Sequence, residues 1–158
     1  MNSTPERLRL ALYQPDIAQN AGAMLRTCAC FGAAASIIGP TGFPSSDRHF
    51  RRAGMDYLNE VTIDRHDSWR AFEDWRREAG RRLVLLTTKG ATAHWDFAFA
   101  VGDILLVGRE SAGVPDEVHE AADARLRVAI RPETRSLNVS VAAGIVLSEA
   151  LRQIGARF

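Results

Sequence analysis

A chain of 158 residues has the size of one domain and can bury a core large enough to fold alone. With 46% hydrophobic and 25% charged residues it is neither a disordered tail nor a fibrous repeat. Its longest apolar runs, such as VAAGIVL, fall far short of the roughly 20 residues that a bilayer span needs. The formal net charge of +1 excludes a global polycation drawn to nucleic acid, so any RNA recognition has to be local.

In chain order, the N-terminal MNSTPERLRLALYQPD lacks an apolar segment followed by a small-residue cleavage site, which makes the cytoplasm the expected address. The sequons at Asn2 and Asn138 are then chance matches. LRLALY reads as a first buried strand, and AQNAGAMLRTCACFG as a helix that stops at Gly32. Cys28 and Cys30 lie two apart in that helix, point to different faces and cannot form an ordinary disulfide with each other; both are expected to be small buried hydrophobes. ASIIG is a second strand. DRHFRRAG sets Arg48, Arg51 and Arg52 close together, a candidate RNA footprint in a chain whose basic residues include one lysine, Lys89. EVTID follows as a strand. HDSWRAFEDWRREAG offers Asp67 or Ser68 as N-cap and Gly80 as stop, and its Trp69, Phe72 and Trp75 recur at core spacing.

RLVLLTT, DILLVG and RLRVAI complete the buried strands, with a short helix PDEVHEAA carrying Pro115 in its first turn. The last helix, capped by Asn138, is apolar on nearly every side. Strands alternating with helices predict an α/β fold, a mostly parallel sheet covered by helices on both faces, within a single domain spanning residues 1–158. In such sheets ligands sit beyond the carboxyl ends of the strands, in the loops KGATAH, RESAGVP and RPETRSLN.

Familiar motifs fail on these loops. GRESAGVP has Gly108 and Gly113 at P-loop spacing, but Val114 and Pro115 stand where a lysine and a hydroxyl are needed. No GxGxxG follows the first strand, and no GxSxG elbow exists. The four histidines are scattered and nothing has zinc-ligand spacing, so no metal is expected. Taken singly, Asn20 and Asn138 read as helix caps, Gly113 as turn geometry and Glu110 as a solvated loop charge.

Together, PDIAQNAGAMLRT, VGRESAGVP and RPETRSLNVS resemble the three motifs of the SPOUT superfamily of RNA methyltransferases. The branch is that of the tRNA wobble-nucleotide (cytidine/uridine-34) ribose 2'-O-methyltransferases, with RRAGMDYLNEV, LLTTKGATAH and TRSLNVSVA in the family's order from about Leu8 to Gly155. The resemblance implies a C-terminal trefoil knot, a homodimer formed through the C-terminal helix, and S-adenosylmethionine as cofactor. It assigns cofactor contacts to Leu86, Thr87, Gly108, Val128, Ile130, Ser136 and Leu137, and the chemistry to Asn20, Arg26, Glu110, Ser136 and Asn138. It implies an anticodon stem-loop as substrate, for which Arg48, Arg51 and Arg52 would supply phosphate contacts.

Arg26 is the residue that the family pattern casts as activating the ribose hydroxyl. Removing a proton from a guanidinium at neutral pH costs roughly 8 kcal/mol, so holding phosphate and stabilising the developing alkoxide is the less demanding role. Two positions depart from the pattern: Arg109 where relatives often have proline or serine, and Ser148 where they often have tyrosine. Three other readings stay open: the same chemistry at another tRNA or rRNA position, a catalytically silent RNA-binding module, and a flavodoxin-like nucleotide-binding enzyme.

Overall fold

A computed structural model describes residues 6–158, so the Asn2 sequon lies outside the described residues. The elements are β1 (Arg9–Tyr13), α1 (Ala18–Phe31), β2 (Ala34–Ile38), α2 (Arg48–Gly54), β3 (Ile63–His66), α3 (Trp69–Ala79), β4 (Leu83–Leu86), β5 (Thr92–Ala93), β6 (Ile104–Val107), α4 (Asp116–Ala121), β7 (Ala124–Arg127) and α5 (Val139–Gln153). Tight 3-10 turns at Met55–Asn59 and His94–Asp96 follow α2 and β5. The strands form one seven-stranded sheet in the order β3-β2-β1-β6-β4-β7-β5, and every strand pair in it is parallel.

Apolar residues on both faces of each central strand explain why the sheet is covered twice. Leu10 and Leu12 of β1, with Leu105 and Val107 of β6, face a core shared with α1, α2 and α5. Ala11, Tyr13, Ile104 and Leu106 face the other side, where Phe72 of α3 and Val118 of α4 cover them. Trp69 and Trp75 flank Phe72 with ring centroids 5.5 and 5.9 Å away, so the aromatic stripe is core, as its spacing predicts. Fully burying a side chain such as Phe72 stabilises the fold by about 1.5–3 kcal/mol.

The helix punctuation follows local chemistry. Gly32 and Gly80 both terminate helices at φ 67°, a conformation that costs glycine nothing. Ser68 is the N-cap of α3, its Oγ accepting the Ala71 N–H at 3.1 Å. Pro115 precedes α4 as its cap residue, with an extended ψ of 161°, rather than standing in the first turn.

Other expectations shift. β3 begins at Ile63 because the 3-10 turn after α2 keeps residues 55–59 out of the sheet. The DRHFRRAG stretch supplies α2, capped by Asp47, whose carboxylate accepts the N–H groups of His49 and Phe50 at 2.8 and 3.2 Å. Cys28 is buried, which pushes its thiol up to about 12, but Cys30 is exposed, since residues two apart on a helix cannot share a face. β7 stops at Arg127 because its neighbour β5 offers only two residues to pair, which frees Val128–Ile130 from the ladder.

The C-terminal half is tightly interleaved. β7 lies between β4 and β5, and the segment joining those two crosses directly over it. Thr87 N–H donates to Leu126 O at 2.8 Å, and a Cβ on Gly90 would lie 2.4 Å from the Leu126 carbonyl carbon. Only glycine allows that approach.

Candidate active site

The carboxyl ends of β4, β6 and β7 open onto one cavity of about 820 Å³, within the usual range of small-molecule and cofactor sites, about 300–1,000 Å³. Each wall has a local cause. After β6 the chain folds into a tight loop closed by mutual backbone hydrogen bonds between Arg109 and Gly113, at 3.0 and 2.8 Å. Gly108 is required there, because a Cβ would meet the Gly113 backbone at 2.8 Å. After β7, residues 128–138 run irregularly to the N-terminus of α5 and form the opposite wall.

Asn138 caps α5: its Oδ1 accepts the Ser140 N–H at 2.8 Å and the Ser140 hydroxyl at 2.5 Å. Its Nδ2 donates to Asn20 Oδ1 at 3.1 Å, which ties the start of α1 to the start of α5 across the cavity. Residues 118 positions apart in the chain are thereby joined.

The chain thus brings together Leu86, Thr87, Gly108, Val128, Ile130, Ser136 and Leu137 as cavity lining, with Asn20, Glu110 and Asn138 among them. Arg26 is not brought there. It sits on the exposed face of α1, its guanidinium carbon 5.3 Å from the centre of the Tyr57 ring. Arg48, Arg51 and Arg52 are also away from the cavity, exposed on α2, and make no ion pair among the described residues. The glycine between Asn20 and Arg26 that lets something approach α1 is Gly22, and the approaching group is α2. A Cβ on Gly22 would fall 2.3 Å from Phe50 O.

Sequence reasoning missed Arg127, Arg131 and Arg135, which line the cavity, and Asp16, which adjoins its Glu110 and which a Pro-Asp turn disguises. The Asp16 N–H donates to Glu110 Oε2 at 3.4 Å, and its Oδ2 accepts the Ser111 hydroxyl. Burial, then the Asp16 side chain, pushes the Glu110 carboxyl up, although the Asp16 N–H draws it the other way, and the Glu110 side chain holds Asp16 below the ordinary carboxylate range. The departure at Arg109 also finds a place: its Nε lies 4.0 Å from Asp16 Oδ2, and its Nη1 donates to Gln14 Oε1 at 3.4 Å.

Among the described residues no group of three His, Cys, Asp or Glu side chains has metal-holding geometry, and no helix is long and apolar enough to cross a membrane.

A model of the SpoU rRNA methylase family matches residues 7–148. The chain belongs to this family. A relative from Beijerinckia indica subsp. indica, a tRNA (cytidine(34)-2'-O)-methyltransferase, is 65% identical over 93% of this chain and 92% of its own. A solved structure described as "Structural insights into the 2-OH methylation of C/U34 on tRNA" superposes with a TM-score of 0.91 at 39% identity, covering 98% of this chain and 100% of that one. An AdoMet-bound rRNA methyltransferase from Sinorhizobium meliloti superposes at 0.86 with 28% identity, over 96% of this chain and 58% of the other. The mostly parallel α/β sheet that strand-helix alternation predicts is thus shared with these methyltransferases, as the motif resemblance implies.

Proposed function

We infer that this protein is an S-adenosylmethionine-dependent methyltransferase that modifies the ribose 2'-hydroxyl of the wobble nucleotide, cytidine or uridine 34, in tRNA. The observation carrying the reading is the 65% identity to a cytidine-34 enzyme along nearly the whole chain, together with a cavity lined by every residue that the family pattern assigns to the cofactor. The same reading includes the knot, supported by β7 lying between β4 and β5 under the crossing segment.

The cavity fits the cofactor chemically. Leu86, Val128, Ile130 and Leu137 give an apolar slot for a purine ring, and Thr87 and Ser136 offer hydroxyls on the same lining. When bound, S-adenosylmethionine supplies a methyl group on a positively charged sulfur, already a strong electrophile. The chain's task is then to align the hydroxyl and manage its proton.

Asn138 does the aligning at one edge, because its amide is held by Ser140 and Asn20 in a single orientation. Fixing the Asn20 oxygen in that bond leaves its amide N–H groups free for substrate. Ser136, on the exposed loop beside the cavity, offers a hydroxyl that can donate and accept. Arg26, with Tyr57 beneath its guanidinium, holds RNA phosphate and stabilises the alkoxide that develops.

Because Arg26 lies outside its own chain's cavity, a second copy enters the reading. α5 leaves Val141 and Ile145 half exposed, with Ser148 and Arg152 continuing the same stripe, and α1 packs beside it. A homodimer through this helix buries the stripe. Arg48, Arg51 and Arg52 position an anticodon stem-loop through its phosphates, and the protein works in the cytoplasm, where its substrate is made.

The test is direct: purified protein, labelled S-adenosylmethionine and total tRNA from a strain lacking the enzyme, with the label located by nuclease digestion and mass spectrometry. Methyl groups on ribose 34 are expected. Label confined to another position, or to ribosomal RNA, overturns the substrate assignment.

A further inference from the structure

We propose that Asp16 is a positioning residue for the reaction: it clamps the Glu110 carboxyl and so fixes the loop that forms one wall of the cavity. The proposal rests on reading that cavity as the cofactor pocket. Three contacts converge on Asp16, all from the 108–113 loop. Its backbone N–H donates to Glu110 Oε2 at 3.4 Å, its Oδ2 accepts the Ser111 hydroxyl, and Arg109 Nε stands 4.0 Å from the same oxygen.

What remains are two buried oxygens with no other partner, Asp16 Oδ1 and Glu110 Oε1, one from each carboxyl. Two neighbouring carboxylates repel, and a proton on one of them would relieve that repulsion and give a buried orphan oxygen a hydrogen to donate. The opposite displacement of the two carboxyls, Glu110 up and Asp16 down, makes Glu110 the one that takes up that proton first as the pH falls, with Asp16 as the anion. Both Glu110 oxygens are then engaged, one accepting from the Asp16 N–H and one donating to its carboxylate. Glu110 is therefore a strut of the pocket and not the acceptor of the ribose proton.

The surroundings support a clamp of fixed charge. Arg109 is the cation facing the pair, and Tyr13 at the end of β1 feels the charges of both Arg109 and Glu117 of α4. Behind Asp16 the loop after β2 contributes backbone only: Gly42 N–H donates to Pro15 O at 2.9 Å, and a Cβ on Gly42 would lie 2.9 Å from Asp16 Cα. Asp16 is thus pinned from behind, and whatever it holds is pinned with it.

Replacing Asp16 separates this role from a merely structural one. Asp16→Asn puts an N–H donor opposite Glu110, so the clamp closes on an ionised glutamate and needs no proton. Asp16→Ala removes the clamp. The carboxyl carbon of Glu110 is followed by NMR across pH in cofactor-free protein, and S-adenosylmethionine affinity by calorimetry from about pH 4 upward to about pH 8. In the wild type, Glu110 is expected to titrate above the ordinary glutamate value of about 4.3, and in Asp16→Asn to drop by about one unit or more. The wild-type dissociation constant is expected to rise with pH as the shared proton is lost, and to flatten in Asp16→Asn. In Asp16→Ala it rises about tenfold at pH 7, the equivalent of one unit of pKa.

A Glu110 titration that Asp16→Asn leaves in place overturns the proposal, as does an Asp16→Ala protein that binds like wild type. If Asp16→Ala does not fold, the Asp16→Asn titration decides. Wild-type protein that binds no S-adenosylmethionine at any pH overturns the proposed function instead, and the cofactor-free titration still decides the clamp.

Discussion

The two ends of the sheet use the same residue types to opposite ends. At the amino ends of the strands, charges close on one another. Arg9, almost fully buried, is held by Glu6 at 2.9 Å, Asp64 at 2.8 Å and the Ser36 hydroxyl at 2.9 Å. Arg76 pairs with Glu73 at 2.6 Å and Asp123 at 3.2 Å, and Arg82 with Asp103 at 2.6 Å. At the carboxyl ends the polar atoms of Asp16, Arg109 and Glu110 include buried ones with no partner, and the last two residues line a cavity; at the amino end the one such atom among the described residues is Arg81 Nη2. Closed charge networks mark where the fold is held, and unfinished ones mark where something else is expected to bind. Most arginines of this lysine-poor chain belong to the first kind, or lie free on the surface, which is why arginine content alone says little about RNA.

Breaking the closed end should cost stability and leave the site alone. Arg76→Ala strands the buried carboxylate of Glu73, with only the exposed Arg77 left beside it at 3.1 Å. The expected loss is about 3 kcal/mol, the scale for removing one partner of a buried ion pair. Urea unfolding measures it, and cofactor affinity of the folded fraction should stay within about twofold of wild type. A large loss of affinity would mean that the two ends are coupled. The open end should respond the other way. Arg26→Lys keeps a positive charge on α1 but loses the planar fork, so methyl transfer to tRNA is expected to fall about a hundredfold with unfolding and cofactor affinity unchanged. Near-normal turnover would remove Arg26 from the chemistry.

The same contrast governs what could be read in advance. Strand-helix alternation, Gly32, Gly80 and the Asn138 cap announce themselves because each is decided within a few residues. So do the cavity-lining segments, because motifs in fixed order carry them. Asp16 is invisible for the opposite reason: its partner Glu110 lies 94 positions away, and a Pro-Asp pair reads as a turn. β5 escapes because two residues, Thr92–Ala93, carry no periodicity, and the exposure of Cys30 depends on where α2 and α5 leave α1 uncovered. Arg26 shows the limit from the other side. Its position in a motif is plain, but no local pattern tells that it faces outward, over Tyr57 and away from its own cavity.

The smallest expected effect distinguishes the ends by the direction in which pH acts. At the amino end burial works against the charged form of Glu6, but hydrogen bonds from Arg9 and Arg81 prevail and hold its pKa below the ordinary value. A depressed folded pKa contributes stability that is complete above the unfolded value of about 4.3 and is lost as the pH falls through it and below. At the carboxyl end Glu110 is shifted up, so its contribution is complete below that value and is lost as the pH rises through the folded pKa. A falling pH should therefore loosen the amino end and a rising pH the cavity wall. Glu6→Gln, which cannot ionise, is expected to be less stable than wild type at pH 7 by about 1 kcal/mol or less, since Glu6 is partly exposed and solvent screens it. The difference should shrink as the pH falls to about 3, as the wild-type carboxylate takes up its proton. Chemical unfolding at both pH values checks this. A gap that persists in acid would mean that Glu6 holds Arg9 and Arg81 by packing and neutral hydrogen bonds, and that charge is not what closes this end of the sheet.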